Sequence, residues 1–341
     1  MSIRAVAIDS IDLPERFGFR QQGDFFRSAE WFRCLHATAV THPPRVYNAG
    51  DAALVCCWNG RTLESLANYY TMEFGILGEG RLDAIVERIA ADRPTGVRLT
   101  FLPEALVDAL TRALRSAGFF VRPYFMYDNW FVRLNGRDLQ RYLAGRPSQT
   151  TNTIKRRRKK LAAAHAYEIV LTREADRIRD FVTVYESSWK HAEPHPAFIP
   201  TLAATCASLG VLRLGILYVD GAPAAAQLWI TTAKKALIYK LAYDERFRDY
   251  SVGSILSLEM FRQAIDEDRV EEIDYGVGSE SYKRDWMEDK RRLYGLAAFN
   301  LRTASGLVQA GVEKAKLALR RVPLRRRAGP EERDATSVNA S

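Results

Sequence analysis

A strand, a short loop and a helix follow one another without a gap in the second half of this 341-residue chain, and they constrain its fold more than any other segment. The strand reads Ala236-Leu-Ile-Tyr-Lys-Leu-Ala-Tyr243. The loop runs from Asp244 to Gly253 and contains Arg248-x-x-Ser251-x-Gly253. The predicted helix starts at Ser254. The first turn of a helix leaves backbone N–H groups without acceptors and carries the positive end of the helix dipole. Small residues in the turn let an anion approach that backbone. The pattern therefore reads as a seat for a diphosphate, as found in coenzyme A or a nucleotide. A plain left-handed or N-cap turn, with Ser251 or Ser254 as the cap, uses the same residues.

Charge narrows the partners. The net charge is +9, but Lys155 to Lys160 (Lys-Arg-Arg-Arg-Lys-Lys) supply six cations, and residues 314–327 supply seven more, neither segment holding an acid. Without those thirteen cations the balance is −4, so the body is mildly acidic with two basic segments. That argues against a general nucleic-acid binder. The apolar runs fall short of bilayer length and the N-terminus lacks a signal-peptide pattern, so the expectation is a cytoplasmic protein. Cys34, Cys56, Cys57 and Cys206 form no C-x-x-C pair and read as buried thiols. His191-x-x-x-His195 has helical spacing, but Pro194 and Pro196 break the helix that a metal pair needs, so no metal is expected.

Hydrophobic periodicity gives the same plan twice. The first half offers strands at 45–48, 52–58, 62–70 and 97–101, helices at 81–91 and 104–117, then one or two aromatic strands over 119–134. A helix at 139–143, interrupted by Pro147, resumes over 150–165. A strand at 167–171 and helices at 175–190 and 198–209 follow. The second half then has a hairpin at 212–231 turning on Asp220-Gly221, the strand–loop–helix above, a strand at 271–275 and a last strand at 293–301. The repeated order suggests an internal duplication without residue-level identity. The expected division is a first unit at 1–145, a second at 146–304 with the basic helix at its entry, a helix at 305–324 and a disordered tail at 325–341.

Several motifs give the second half a family likeness. They are Arg156-Arg-Arg-Lys159-Lys160-Leu161, Tyr185-x-x-x-Trp189-Lys190, Gly221-x-Pro-Ala-Ala-Ala-Gln227-Leu, Tyr239-Lys-Leu-Ala-Tyr-Asp244, Ser251-x-Gly253-Ser254, and Asp274-Tyr-Gly-x-Gly278-x-Glu280-x-Tyr282-Lys283-x-x-Trp286. Over roughly residues 150–300 the chain resembles the GNAT acyltransferase superfamily. The nearer likeness is to its FemAB-like tandem branch, which includes CelD/BcsL-type acetyltransferases of bacterial polysaccharide biosynthesis. The first half resembles it only in architecture. The superfamily's pyrophosphate loop has the form Gln/Arg-x-x-Gly-x-Gly/Ala, and Ser251 stands where the first Gly is usual.

The resemblance implies an α+β fold of tandem GNAT-like units, each a mixed central sheet flanked by helices. It implies acetyl-CoA or another acyl-CoA as co-substrate, its diphosphate held by backbone N–H groups of Tyr250, Ser251, Val252, Gly253 and Ser254 with Arg248 alongside. Acyl transfer needs a base, an acid for the departing thiolate and N–H groups for the oxyanion. Asp274 or Glu280 is the candidate base, Tyr282 or Tyr275 the acid, and Lys283 a binder of an anionic acceptor such as a sugar phosphate. Trp286 belongs to the same segment. Gln227 and Tyr239 are expected to face the acceptor cleft; Lys240 alternates with Tyr239, so only one of the two can do so. Arg156 and Lys159 stand for a clamp on a polyanion, against the plainer reading of a solvated helix.

Three functions follow from these expectations. The first is an acyl-CoA-dependent N- or O-acyltransferase acting on a sugar or cell-surface polysaccharide precursor. The second is an aminoacyl-tRNA-dependent transferase, the one route by which nucleic acid would be a partner. The third is a non-catalytic scaffold of a polysaccharide-synthesis complex. The basic C-terminal segment, in which Leu317, Leu319, Val322 and Leu324 alternate with cations, can touch an anionic membrane surface, against the plainer reading of a disordered solubilising tail.

Overall fold

The computed structural model describes residues 11–278 and 281–321. The first half holds strands β1 (Pro44–Ala49), β2 (Ala52–Asn59), β3 (Thr62–Ser65), β4 (Leu77–Gly78), β5 (Gly96–Pro103) and β6 (Phe119–Arg133). Its helices are α1 (Phe19–Gln22), α2 (Ala29–Ala39), α3 (Leu82–Ala91) and α4 (Glu104–Ser116). Sequence periodicity missed α2, whose N-terminus is capped by the Ser28 hydroxyl accepting from the Trp31 N–H at 3.3 Å. Helices α5 (Leu139–Ala144) and α6 (Ser148–Ala164) lead into the second half. That half holds β7 (Tyr167–Thr172), α7 (Ile178–Glu186), α8 (Phe198–Ser208), β8 (Leu212–Val219), β9 (Ala222–Thr231), β10 (Lys235–Tyr243), α9 (Val252–Arg262), β11 (Glu272–Val277), β12 (Asp289–Asn300) and α10 (Ala304–Arg321).

All the strands join one sheet in the order β1-β2-β3-β5-β12-β6-β11-β10-β9-β8-β7, with β4 paired to β2. The duplication is visible in the pairing. β1, β2 and β3 run antiparallel and β3 pairs β5 in parallel; β8, β9 and β10 run antiparallel and β10 pairs β11 in parallel. In each half a helix, α3 or α9, makes the crossover that a parallel pair requires. Each half then lends its last strand to the other. β6 follows β5 in the chain but pairs β11, and β12 follows β11 but pairs β5. The two lent strands pair with each other along the middle of the sheet, from Asp289↔Phe131 to Asn300↔Phe119.

Two cores cover the faces. One runs along the whole sheet and includes Trp31, Phe74, Leu99, Phe198 and Tyr239. The other lies behind the second half, where α5, α6 and α9 bring Tyr142, Ile154, Ile255 and Phe261 against Trp229 and Ile273. The four cysteines are buried, and burial pushes the Cys34 thiol up to about 12 and Cys57 to about 11. No helix among the described residues is long and apolar enough to cross a membrane.

Candidate active site

β10 and β11 pair only over Lys235↔Glu272, Ala236↔Ile273 and Leu237↔Asp274, and diverge beyond. A cavity of about 620 Å³ fills the divergence. Leu241 and Tyr243 of β10 form one wall and Tyr275, Tyr282 and Trp286 the other. The first turn of α9 gives Ser251, Gly253 and Ser254, and the start of α6 gives Thr150 and Thr153.

The α9 turn has the features of an anion seat. Ser251 is its N-cap residue, with φ +53° and no side-chain cap. That left-handed conformation explains why glycine suits the position, and serine occupies it at some backbone strain. Its carbonyl accepts from Ser254 N–H and Ile255 N–H. Among the described residues the N–H groups of Val252 and Gly253 have no acceptor. A Cβ on Gly253 would sit 3.3 Å from the Tyr243 ring, so glycine here lets α9 close against β10.

The expected coenzyme residues divide. Ser251, Gly253 and Ser254 line the cavity; Val252 contributes its N–H while its side chain is buried. Arg248 points to solvent from a 3₁₀ turn at Glu245–Tyr250, away from the cavity lining. The Tyr250 hydroxyl meets His165 Nε2 at 3.2 Å and its ring carries Lys160 Nζ, so Tyr250 braces the loop from behind.

Gln227 reaches the cavity with its amide already engaged. Its Nε2 donates to Gly253 O at 3.1 Å and to Ser257 Oγ at 2.7 Å, and its Oε1 accepts from Trp229 Nε1 at 2.9 Å. It ties α9 to β9 rather than reaching for an acceptor. Tyr239 does not face the cavity. A β-bulge between Ile238 and Lys240 interrupts the alternation, so Tyr239 and Lys240 both turn to the opposite face. There the Tyr239 hydroxyl donates to Tyr70 O at 2.9 Å.

Asp274 also faces away. Tyr275 lines the cavity, and its neighbour on the strand opens instead on a second cavity of about 310 Å³, lined by Asp24, Arg27, Glu73 and Lys235. Its carboxylate accepts from Asn129 Nδ2 and Gly276 N–H, both at 2.7 Å, and pairs with Lys235 Nζ at 2.6 Å and Arg291 at 3.5 Å. A buried carboxylate so engaged holds the sheet together and is not a free base. Glu280, the other expected base, lies outside the described residues. The acid that does reach the cavity among the described residues is Asp285, in the 3₁₀ turn Ser281–Asp285, beside Tyr282. Its signal in the sequence is its place within the Tyr282–Trp286 motif.

Tyr282 is exposed and meets Tyr275 edge-on at 5.7 Å. Trp286 stacks on Phe261 and accepts the Tyr142 hydroxyl at its carbonyl, 2.6 Å away. Lys283 is buried with its Nζ 5.7 Å from the Tyr275 ring centre and does not line the cavity. The basic helix splits its cations. Arg157 donates to Asp249 O at 2.6 Å and Lys160 covers Tyr250, so these two brace the loop before α9, while Arg158 pairs with Glu259 of α9 itself at 2.7 Å. Lys155, Arg156 and Lys159 point outward.

The segment between α7 and α8 closes the cavity's edge. The predicted helix over 175–190 stops at Glu186, and Trp189, half exposed, lines the cavity and packs on Tyr243 at 4.6 Å. Glu193 anchors this segment on the opposite face of β10. It pairs with Lys240 and accepts the hydroxyls of Tyr70 at 2.5 Å and Tyr69 at 2.9 Å. Burial pushes the Glu193 carboxyl up, but the bonds from Lys240, Tyr70 and Tyr185 outweigh it and hold the group below its ordinary range.

A parallel pair that splays beside a helix N-terminus is the arrangement that the resemblance to GNAT-type acyltransferases implies, and sequence comparison agrees for the second half. Residues 148–284 match the acetyltransferase (GNAT) domain family. The second half thus carries a GNAT acetyltransferase domain, and the doubled sheet on which it sits is shared in fold with FemX. Among solved structures it is similar in fold to FemX (TM-score 0.57, 10% identity, 80% of this chain and 92% of that chain). It is similar to a conserved protein of unknown function from Bacteroides thetaiotaomicron VPI-5482 (TM-score 0.56, 13% identity, 79% and 89%). It is also similar to L-PGS from Bacillus licheniformis (TM-score 0.52, 12% identity, 88% and 98%). No curated protein matches the sequence.

Proposed function

We propose that the protein transfers an acyl group, acetyl in the first instance, from its coenzyme A thioester to an amine or hydroxyl of a sugar or cell-surface polysaccharide precursor. The observation that carries this is the pair of N–H groups on Val252 and Gly253, without acceptors among the described residues, at the edge of the cavity between β10 and β11. A diphosphate fits that turn, because small residues leave the backbone open and the helix dipole favours an anion. The polysaccharide acceptor rests on the likeness to CelD/BcsL-type enzymes.

Acyl-CoA supplies an electrophilic thioester carbon. Attack by the acceptor forms a C–N or C–O bond and breaks the C–S bond, with no covalent enzyme intermediate. In this reading Asp285 takes the nucleophile's proton, and Tyr282 or Tyr275 gives one to the departing thiolate. Trp189 and Trp286 keep water from the thioester.

A second reading, an aminoacyl-tRNA donor, is favoured by the outward cations Lys155, Arg156 and Lys159, which have the spacing to meet phosphates. One variant separates the two. Ser254→Glu puts a carboxylate at the seat, where the helix dipole keeps it compatible with folding. Calorimetry is expected to show acetyl-CoA binding to the wild type and at least about tenfold weaker binding to the variant, from like-charge repulsion. No acetyl-CoA binding, together with tRNA affinity that falls steeply with salt, would put the second reading in its place.

A further inference from the structure

The C-terminal helix α10 is amphipathic the wrong way round. A helix on a globular protein usually turns its apolar stripe inward and its polar face to water. α10 docks on β12 and β6 through Gly306, Ala310, Glu313 and Leu317. Gly306 allows the close approach, since a Cβ there would lie 2.7 Å from the Thr95 carbonyl. Glu313 is mostly buried and pairs with Arg122 at 2.7 Å. The opposite side carries Val308, Val312, Ala315 and Leu319, which recur at helical spacing on one stripe. Val308 is 66% exposed, Val312 50% and Leu319 73%. Nothing among the described residues covers them.

The charge beside this stripe is of one sign. Lys314 and Lys316 are exposed on the flanks of the helix, Lys316 beside Val312 and Lys314 nearer the sheet, with its Nζ 5.1 Å from the Phe120 ring centre. In the sequence Arg320, Arg321, Arg325, Arg326 and Arg327 follow, with no acid between residues 314 and 327. Glu313 is neutralised by Arg122. A second copy docked through the same face would set these cations against one another, which disfavours an isologous dimer. An anionic lipid surface suits both features, because the apolar stripe can sink to the acyl boundary while the cations meet headgroups.

We propose that the outer face of α10 is a membrane-docking surface for anionic phospholipid, holding the enzyme at the bilayer by one in-plane helix. This stands independently of the acyl donor. The test is co-sedimentation of the full chain with vesicles of phosphatidylcholine alone and of phosphatidylcholine mixed with phosphatidylglycerol. Binding is expected to the mixed vesicles only and to fall with salt. Val312→Glu with Leu319→Glu abolishes it. Lys314→Glu with Lys316→Glu weakens it by about fivefold or more per cation removed. All four side chains are exposed, so Val312→Glu with Leu319→Glu should keep the wild-type melting temperature, the lysine variant should lose only the contact of Lys314 with Phe120, and both should keep the wild-type acetyl-CoA affinity. Three results would overturn the proposal: no binding to the mixed vesicles, equal binding to neutral ones, or binding indifferent to both variants. So would a dimer in sedimentation velocity that Val312→Glu with Leu319→Glu dissociates while vesicle binding is absent, because a second copy would then own the face.

Discussion

The Asp274 carboxylate has its lone pairs in use, from Asn129, Gly276, Lys235 and Arg291. Asp285 opens instead on the cavity between the splayed strands. Opposite outcomes follow for the same chemical change. Asp274→Asn leaves Lys235 and Arg291 without their counter-charge. Lys235 is partly exposed and softens the loss, so the cost is about 2 kcal/mol, less than for a fully buried pair. Urea unfolding reads it, while turnover per folded molecule stays near wild type. Asp285→Asn should leave stability unchanged and cut turnover on an acyl-CoA and acceptor by about a hundredfold or more. An Asp274→Asn variant that folds normally and is inactive would reverse the two assignments. The sequence brought the Tyr275–Trp286 segment to the cavity but not the facing of Asp274, because period-two alternation fixes relative facing but not which face holds the cavity. Gln227 has a related history: its place at the cavity was legible, but its ties to Gly253, Ser257 and Trp229 depend on α9 and were not.

At the scale of elements, the strand–loop–helix was legible because its signals are local: apolar alternation, small residues at the turn, and periodic residues after it. The segment after α7 was not. Periodicity carried the helix on to Lys190, whereas the chain leaves it at Glu186 so that Glu193 can reach Lys240, Tyr69 and Tyr70. Those partners come from β10 and from the first half, a convergence that no local pattern encodes. Tyr239 was misjudged for the same kind of reason, since a bulge is a property of paired strands. The Glu193 anchor has a pH signature. Its carboxyl is held below the ordinary value of 4.5, so its contribution to stability is complete above that pH and is lost as pH falls through the folded-state value. Glu193→Gln should therefore melt earlier than wild type at neutral pH, and the two curves should converge as pH falls below 4.5 through the folded-state value. The variant should also be cut sooner by trypsin at Lys190, which sits in the released segment. Parallel melting curves at every pH would mean that Glu193 does not anchor it.

The exchange of β6 and β12 decides how the whole molecule behaves. The chain changes halves near residue 145, but the sheet has no seam there. β12 lies between β5 and β6, and β6 lies between β12 and β11. Without β12 the first half would leave the inner edges of β5 and β6 unpaired. Without β6 the second half would expose β11, which carries the cavity wall. Long-range pairing of this kind left no trace in local periodicity, which gave both strands and the duplication but not their partners. An unpaired edge invites aggregation, and two units that share central strands have no independent cores to lose separately. The full chain should therefore unfold in one calorimetric transition whose van't Hoff and calorimetric enthalpies agree. Separate fragments 1–145 and 146–341 should be insoluble alone and recover acetyl-CoA binding only when produced together. Two resolved transitions, or a soluble second fragment that binds acetyl-CoA alone, would show that β6 is dispensable to the site. The edge that β6 covers on β11 makes the opposite outcome the physical expectation: the cavity between β10 and β11 belongs to the second half, and its wall is held by a strand from the first.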